Sequence, residues 1–373
     1  MKRLNLLLLT LLSSLALFSC ISDSDKTPDS QKSKNDARVF VLNEGVYNKE
    51  TGFLDVINAE GGYQSKVEKS NLGGTAQDLA FFSDYTYVIA KDPIEGTHKG
   101  RLVSLKTADY SIDKDYSELI SDLEKPSNIA ILDLQNIFIR DAKAIHRLDL
   151  VNGKLTKVEG TDGAIEMNMV ALNNRVVAAI RTKDDEPDKG KKLVSINKNE
   201  DKVSKELTLD ASIKGIAQAC RRDVFVATAD GNNAIYRINS DDLSIIKKNE
   251  ITGTTGDALN AKYTRGVIAA KDDIIYYAGG GSVIYRHNFA KNETKAMADV
   301  ASEGFYPEGT ITYNSLGVHP RTGHVYITRI KDWSENDVNA ILELDLSGDT
   351  GKLVKKYENK VAYPAGFYFP ANR

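Results

Sequence analysis

A short, strongly apolar segment recurs along the chain and indicates the fold. The copies are rich in β-branched and aromatic residues and follow one another at intervals of 41 to 51 residues. Nearly continuous apolar runs of this length are typical of strands covered on both faces by neighbouring sheets. The pattern therefore predicts seven copies of one β-unit. The last residues of the copies are Asn43, Lys91, Arg140, Arg181, Thr228, Ala278 and Arg329.

Each copy is followed by a second strand, which usually ends in Asn or Asp. Such a side chain can bond to the backbone two residues on and begin a turn. Units of about 40 to 50 residues with about four strands have the size of a propeller blade, and helical periodicity is nowhere sustained. The sequence thus predicts an all-β fold, a seven-bladed β-propeller.

The two ends of the repeat region are complementary. The last complete unit begins at Tyr306-Pro307-Glu308-Gly309, and Tyr363-Pro364-Ala365-Gly366 repeats that start just before the chain ends. The segment from Val39 is a strand whose unit lacks its first strand. Pairing of the N- and C-terminal strands in one blade would close the ring and remove the open sheet edges. An open β-solenoid or two packed sandwiches would leave this complementarity unexplained.

The first residues have the layout of an export signal. Lys2 and Arg3 precede an apolar run from Leu6 to Leu17, which is too short for a membrane span. We predict a lipoprotein signal peptide at residues 1–19. Cys20 stands where cleavage is expected and resembles the acylated cysteine of a bacterial lipobox, so we predict lipidation there. A plain signal peptide with an incidental cysteine is the alternative.

Residues 20–37 are polar and too poor in apolar side chains to fold, which predicts a lipidated flexible tether before a propeller at residues 38–373. The acidic residues behind Cys20 resemble the surface-export signal of Bacteroidetes lipoproteins. This resemblance implies an outer-membrane protein that faces the cell exterior and contacts the membrane through its lipid anchor only. A solvated linker is the other interpretation.

The net charge limits the classes of binding partner, and the cysteine content limits the disulfides that can form. The net charge of −3 and the pI of about 6.0 argue against nucleic acid or an anionic membrane surface. Beyond Cys20 the only cysteine is Cys220, so no disulfide is expected within the propeller.

Loop length indicates the face that binds. Long connections follow Asn43, Lys91, Arg181 and Arg329, and long loops on a rigid scaffold are where binding groups concentrate. We interpret the repeating strand as the inner strand of its blade, so its last residues should converge at the mouth of the axial depression. Cations there would bind phosphate or carboxylate groups. The residues predicted to bind ligand by this alignment are Asn43, Lys91, Arg140, Arg181, Thr228 and Arg329.

A second interpretation is that these cations pair with acids of their own loops. The candidates are Asp92, Asp141, Asp184 and Asp332. Aromatic residues in connections assigned to the same face could complete a ligand site, because rigid amphipathic rings offer good contact surface. These residues are Tyr47, Tyr263, Tyr306 and Trp333. Packing against an adjacent loop is the alternative for Trp333.

Motifs of catalysis are missing from the sequence. It contains no Gly-x-Ser-x-Gly, no Cys-x-x-Cys and no phosphate loop. The five histidines are scattered, and His319 and His324 flank a turn signal that predicts surface positions. We therefore predict no catalytic residue, no metal and no cofactor. A metal-dependent lactonase or lyase is the alternative of another class, and an adhesive surface protein is a third.

Three segments carry a resemblance to a known family: Val41-Leu42-Asn43-Glu44-Gly45, the run from Leu72 to Asp78, and the closing run GKLVKKYENKVAYPAGFYF. They resemble the YncE-like, DUF5074-type propeller lipoproteins of Bacteroidetes over nearly all of residues 38–373. The resemblance implies capture of a small nutrient ligand, first a cobamide such as vitamin B12, for delivery to a TonB-dependent outer-membrane receptor. A ferric siderophore or haem is the alternative ligand.

Overall fold

The computed structural model describes residues 38–46, 51–92, 100–181, 190–220, 222–260, 268–279, 281–332, 339–361 and 363–370. Its regular elements are almost all strands. In the first half of the chain they are β1 (Val39–Asn43), β2 (Phe53–Ile57), β3 (Tyr63–Gln64), β4 (Gly74–Phe82), β5 (Tyr85–Asp92), β6 (Arg101–Lys106), β7 (Ile112–Asp115), β8 (Asn128–Asp133), β9 (Asn136–Arg140), β10 (Ile145–Asp149), β11 (Lys154–Lys157), β12 (Val170–Leu172), β13 (Arg175–Ile180) and β14 (Lys192–Asn197).

In the second half they are β15 (Lys205–Thr208), β16 (Ser212–Gln218), β17 (Asp223–Ala229), β18 (Ala234–Asn239), β19 (Ile245–Glu250), β20 (Ile268–Lys271), β21 (Ile274–Tyr277), β22 (Val283–Asn288), β23 (Glu293–Asp299), β24 (Ile311–Val318), β25 (Val325–Ile330), β26 (Asn339–Asp345), β27 (Lys352–Val361) and β28 (Pro364–Tyr368). The described residues also include a 3₁₀-helix at Ser117–Ile120 and the short helix α1 (Gly253–Asp257).

The strands form seven antiparallel four-stranded sheets, each of which is a blade. Blade 1 has the order β28-β1-β2-β3, and blades 2 to 7 use β4 to β27 in consecutive groups of four. The first strand of each blade contacts the first strands of both neighbouring blades, so these seven inner strands surround an axial channel. The predicted seven-bladed β-propeller is confirmed.

The ring closes in blade 1, where the two ends of the fold pair. β1 lies antiparallel to β28, with Val41 opposite Phe367 and Phe40 opposite Tyr368. This pairing gives β1 the inner neighbour that its own segment lacks. The predicted strand closure is therefore also confirmed.

One detail of the sequence interpretation was wrong. The repeating apolar strand is the second strand of each blade, not the inner one, because β28, β4, β8, β12, β16, β20 and β24 lie inside it. A second strand has strands on both edges and sheets on both faces, so it carries the most continuous apolar pattern. The inner strands are less regular, and their register shifts in β4, β8, β16 and β24.

The core lies between adjacent blades. The largest cluster joins blades 5, 6 and 7, and in it Phe225 and Phe289 pack with ring centroids 5.0 Å apart. Other clusters fill the gaps between the remaining blades. Packing of sheet against sheet fixes the positions of the strand ends, which we group as two faces. The upper face holds the ends of the second strands, and the lower face holds the short turns from inner to second strands.

Candidate functional site

The upper mouth of the channel is formed by Lys91, Arg140 and Glu166. Lys91 Nζ lies 2.6 Å from Glu166 Oε1, and Arg140 Nη1 lies 3.5 Å from Glu166 Oε2. The first of these bonds joins blade 2 to blade 4 across blade 3, which is possible only near the axis. Lys91 and Arg140 are thus brought together as predicted, although from second strands. Two cations share one carboxylate, so this group carries a net positive charge.

Register and hydrogen bonds fix Arg140 in this position. Arg140 ends β9 and lies opposite Asn128, the first residue of the inner strand β8. Its guanidinium donates to Ser127 Oγ at 2.9 Å and to the carbonyl oxygen of Ala164 at 3.0 and 3.1 Å. A planar fork held at several points is well suited to recognise a carboxylate or phosphate.

Sequence reasoning missed Glu166. The residue lies on an irregular stretch of blade 4, between an isolated bridge that pairs Ala164 with Ile180 and the short inner strand β12. Glu166 does not lie at a strand end, so a comparison of strand ends between blades does not find it. Its signal in the sequence was only an acid beside Met167 in a segment without clear periodicity.

Arg181 lies beside this stretch and is exposed. Its backbone N–H donates to the carbonyl oxygen of Gly163 at 3.0 Å. Gly163 has a φ of +82°, and a Cβ there would lie 2.7 Å from Arg181 Cγ. Glycine is therefore needed at position 163, where the backbone passes close to the Arg181 side chain.

Arg329 is on the upper face, but it is 1% exposed. Its Nη1 donates to Thr312 Oγ1 at 3.2 Å and its Nη2 to the Gly309 carbonyl oxygen. Burial lowers the pKa of Arg329. The side chain links the second and inner strands of blade 7 and does not open onto the mouth.

Asn43, Thr228 and Tyr306 are also buried. Asn43 Nδ2 donates to Asp55 Oδ2 at 2.8 Å within blade 1, and Thr228 Oγ1 donates to the Asn232 carbonyl oxygen at 2.9 Å. Tyr306 is 3% exposed, and burial raises the pKa of its hydroxyl. These three positions support strand ends and loops. Tyr47, Tyr263, Trp333 and Cys20 lie outside the described residues.

Two further polar groups lie on the upper face. In blade 5 Lys214 Nζ is 2.7 Å from Asp230 Oδ2, and Asn260 donates to Asp230 Oδ1 at 2.6 Å. The Glu44 carboxylate, directly after β1, accepts from the Tyr313 hydroxyl at 3.0 Å. Acids and bases thus both lie around this end of the channel, and the Lys91–Arg140–Glu166 group has one more cation than acid.

Asp141, one of the acids proposed as a loop partner, serves its own loop. It accepts the backbone N–H groups of Lys143, Ala144 and Glu124. Although burial opposes the effect, hydrogen bonds from His146 and from these backbone groups lower the pKa of Asp141. Its carboxylate therefore stabilises the turn after Arg140.

The lower part of the channel contains a cavity of about 580 Å³, which we call the lower cavity. Its wall comes from the inner strands of blades 1 to 4, and most of the lining residues are apolar or aromatic, although about half of the exposed surface is polar. Ser83 and Asp84, in the exposed turn between β4 and β5, form part of its rim. The lining residues are Leu79, Ala80, Phe81, Ser83, Asp84, Ile129, Ala130, Ile131, Met169, Ala171, Phe367, Tyr368 and Phe369.

Asp78 joins three blades in the wall above this cavity. Its Oδ2 accepts the Ile129 N–H of blade 3 at 2.9 Å, and its Oδ1 accepts the Tyr368 hydroxyl of blade 1 at 2.9 Å. Asp78 is 7% exposed and follows a bulge in β4 that shifts the register between Ala76 and Asp78. The bulge turns a polar side chain toward the neighbouring inner strands.

The histidines within the described ranges do not converge on the channel mouth, and His98 lies outside those ranges. His319 was expected at the surface and is instead 2% exposed, where Nδ1 accepts from the backbone N–H groups of Arg321 and Thr322 in its turn. His287 is buried between Asn249 and Thr294, and burial lowers its pKa to about 4. Among the described residues no group of three or more His, Cys, Asp or Glu side chains could hold a metal ion.

No helix within the described ranges has the length and apolar character needed to cross a membrane.

Comparisons with solved structures agree with the architecture. A quinonprotein alcohol dehydrogenase-like protein from Bacteroides thetaiotaomicron VPI-5482 is 16% identical, with 90% of this chain and 78% of that chain covered and a TM-score of 0.60. A hypothetical selenium-binding protein from Sulfolobus tokodaii is 12% identical, with 91% and 94% covered and a TM-score of 0.64. At these identities the likeness shows the fold alone.

No curated protein sequence matches the chain. One family model does, and it covers residues 38–373, which is the whole propeller. The model is described as a domain of unknown function, DUF5074. The chain therefore belongs to the DUF5074 family of β-propellers.

Proposed function

We propose that the protein is a surface lipoprotein that captures a small nutrient ligand at the upper mouth and delivers it to a TonB-dependent outer-membrane transporter. The observation that carries the proposal is the convergence of Lys91 and Arg140, from adjacent blades, on the single carboxylate of Glu166. A rigid ring with a partly exposed cation pair at its axis is suited to hold a ligand by an anionic group.

The cation pair favours a ligand with phosphate or carboxylate oxygen. A cobamide carries one phosphodiester on its nucleotide loop, and we propose it as the first candidate. Ferric siderophores and haem present anionic oxygen in the same way and are the alternatives. The direct test is titration calorimetry of the purified protein with cobalamin, cobinamide, ferric enterobactin and haem.

The variant Lys91→Gln removes one cation without touching the bonds that Arg140 makes to Ser127 and Ala164. We expect it to weaken binding of the ligand by about tenfold, the effect of losing one charge-assisted hydrogen bond. Lys192→Gln is the matched control, because Lys192 also bonds a glutamate, Glu206 at 2.9 Å, but does so on outer strands of blade 4. Equal affinity in both variants, or no binding tighter than millimolar to any of the four ligands, would contradict the proposal.

Anchoring is tested separately. We expect the full chain to incorporate labelled palmitate and to be cleaved by protease added to intact cells, whereas Cys20→Ser is not labelled. Labelling of the variant would remove the basis for a lipid anchor at Cys20. The binding experiments do not depend on this result, since they use the purified protein.

A further inference from the structure

We propose that the lower cavity is a second binding site, which takes a small planar aromatic molecule that carries a positive charge. It is distinct from the upper mouth in position, wall and charge. Its volume of about 580 Å³ falls within the range of about 300 to 1,000 Å³ that is typical of small-molecule pockets. Its wall comes from inner strands of blades 1 to 4, which are held in place by their packing in the closed ring.

Aromatic side chains give the cavity its preference for a flat ligand. Phe367 and Phe369, at the end of β28, line it with Tyr368 between them. Phe369 is held by His319 and Tyr326, with ring centroids 5.2 and 6.0 Å away. Rings fixed at the edge of a pocket can stack on a planar ligand without first losing side-chain freedom.

The apolar part of the wall lies opposite these rings. Ile129 and Ile131 belong to β8. In blade 4, Met169 directly precedes β12 and Ala171 lies within it. Ile129 and Ile131 are buried, whereas Met169 and Ala171 are partly exposed toward the cavity. Exposed apolar surface in a concave position favours binding, because a ligand removes that surface from water.

The charge of the rim selects the sign of the ligand. Asp84 is the charged residue among those that line the cavity, and it is exposed in the turn after β4. The neighbouring Asp78 carboxylate accepts a hydrogen bond from the Tyr368 hydroxyl, which fixes the direction of the phenol oxygen. A carboxylate at the rim and the negative faces of aromatic rings both attract a cation.

Three probes of similar size and different charge test the proposal by fluorescence titration. Proflavine is a planar three-ring cation, 9-anthracenemethanol is neutral, and 9-anthracenecarboxylate is an anion. We expect saturable binding of proflavine and at least about tenfold weaker binding of the anion, because the rim carboxylate attracts one and repels the other. Equal affinities for the three probes, or no saturation by proflavine up to millimolar concentration, would overturn the proposal.

Two variants locate the binding. Asp84→Asn is expected to weaken proflavine binding by about threefold, as for an exposed charge pair. Ala171→Phe fills part of the cavity and is expected to abolish binding, with circular dichroism and the melting temperature as checks of folding. The control is Asp272→Asn, in the corresponding turn of blade 6 between β20 and β21, which is exposed but does not line the cavity. Unchanged affinity in Asp84→Asn, or the same loss in Asp272→Asn, refutes the site even if Ala171→Phe fails to fold.

Discussion

The two ends of the axial channel differ in the kind of residue that forms them. The upper mouth is built from charged side chains, and Lys91, Arg140 and Lys214 each have an acid within 4 Å. The lower cavity is built from apolar and aromatic side chains of inner strands, with one acid at its rim. Inner and second strands run in opposite directions, so they end at opposite faces. The same seven-bladed scaffold therefore presents two chemically different surfaces on one axis.

An equivalent place in the repeat does not give side chains the same environment. Lys91 and Arg140 lie at or next to the ends of their strands at the channel mouth, whereas Arg329 has the equivalent place in blade 7 and is buried. Residues that align in the sequence thus separate into exposed and structural groups. Substitutions at the two ends of the channel can test this separation.

Asp78→Ala should have the largest effect, since Asp78 connects the walls of blades 1, 2 and 3 above the lower cavity. We expect the free energy of unfolding to fall by about 3 kcal/mol, because a buried N–H and a hydroxyl lose a charged acceptor. Guanidinium denaturation measures this change. Tyr368→Phe, which removes one of the bonds, should cost about 1 kcal/mol. An unchanged midpoint in Asp78→Ala would show that the wall does not depend on this residue.

Arg329→Gln compares a buried strand-end cation with one at the mouth. Loss of the bonds to Thr312 and Gly309 should lower the free energy of unfolding by about 2 kcal/mol. Lys91→Gln should change it by less than about 1 kcal/mol, because the Lys91–Glu166 pair is partly exposed. Urea denaturation of both variants provides the measurement. A larger loss in Lys91→Gln than in Arg329→Gln would reverse the assignment of their roles.

Stability should also depend on pH through a residue away from both ends of the channel. Burial raises the pKa of Glu68 from 4.5 to about 7. The folded state then holds a proton that the unfolded chain releases, so the free energy of unfolding decreases as the pH rises from 4.5 to 7.

We expect Glu68→Gln to remove a decrease of about 2 kcal/mol between pH 5 and pH 8, measured by urea denaturation at several pH values. The native protein is the reference, and the variant should match it at low pH. Parallel pH profiles of the two proteins would contradict the prediction. Glu68 accepts the Leu54 N–H in blade 1. Once the effect of Glu68 on the free energy of unfolding is known at each pH, ligand affinities at the two ends of the channel can be compared at different pH values.

Glu166→Gln should have the smallest effect. It tests directly whether ligand binding at the two ends of the channel is independent. Removing the internal carboxylate leaves Lys91 and Arg140 without this counter-charge, so we expect about fivefold tighter binding of an anionic ligand at the upper mouth. Proflavine binding at the lower cavity should not change. Calorimetry with phosphate-bearing ligand and fluorescence with proflavine give the two affinities. A parallel change in both would mean that the ends are not independent.

Much of the fold could be predicted because its pattern is local. Seven apolar strands at regular spacing, turn residues after the next strands, and the repeated Tyr-Pro start each reflect physics that acts within a blade. The closure of β1 with β28 followed from the same pattern. The inner strands were misassigned because bulges and a channel-facing edge weaken the apolar alternation of β4, β8, β16 and β24.

The sequence by itself determined the class of fold, the number of blades and the pairing of its ends, because hydrophobic periodicity and turn chemistry specify these. It also brought Lys91 and Arg140 to one face. Only the tertiary structure decided that Glu166 lies between them, that Arg329 and His319 are buried, and that aromatic residues of β28 meet β8 and β12 around a cavity. The Glu166 bonds and the cavity wall join different blades, and the burial of Arg329 and His319 depends on how blade 7 packs. All of these features arise from the packed ring, which no local pattern encodes.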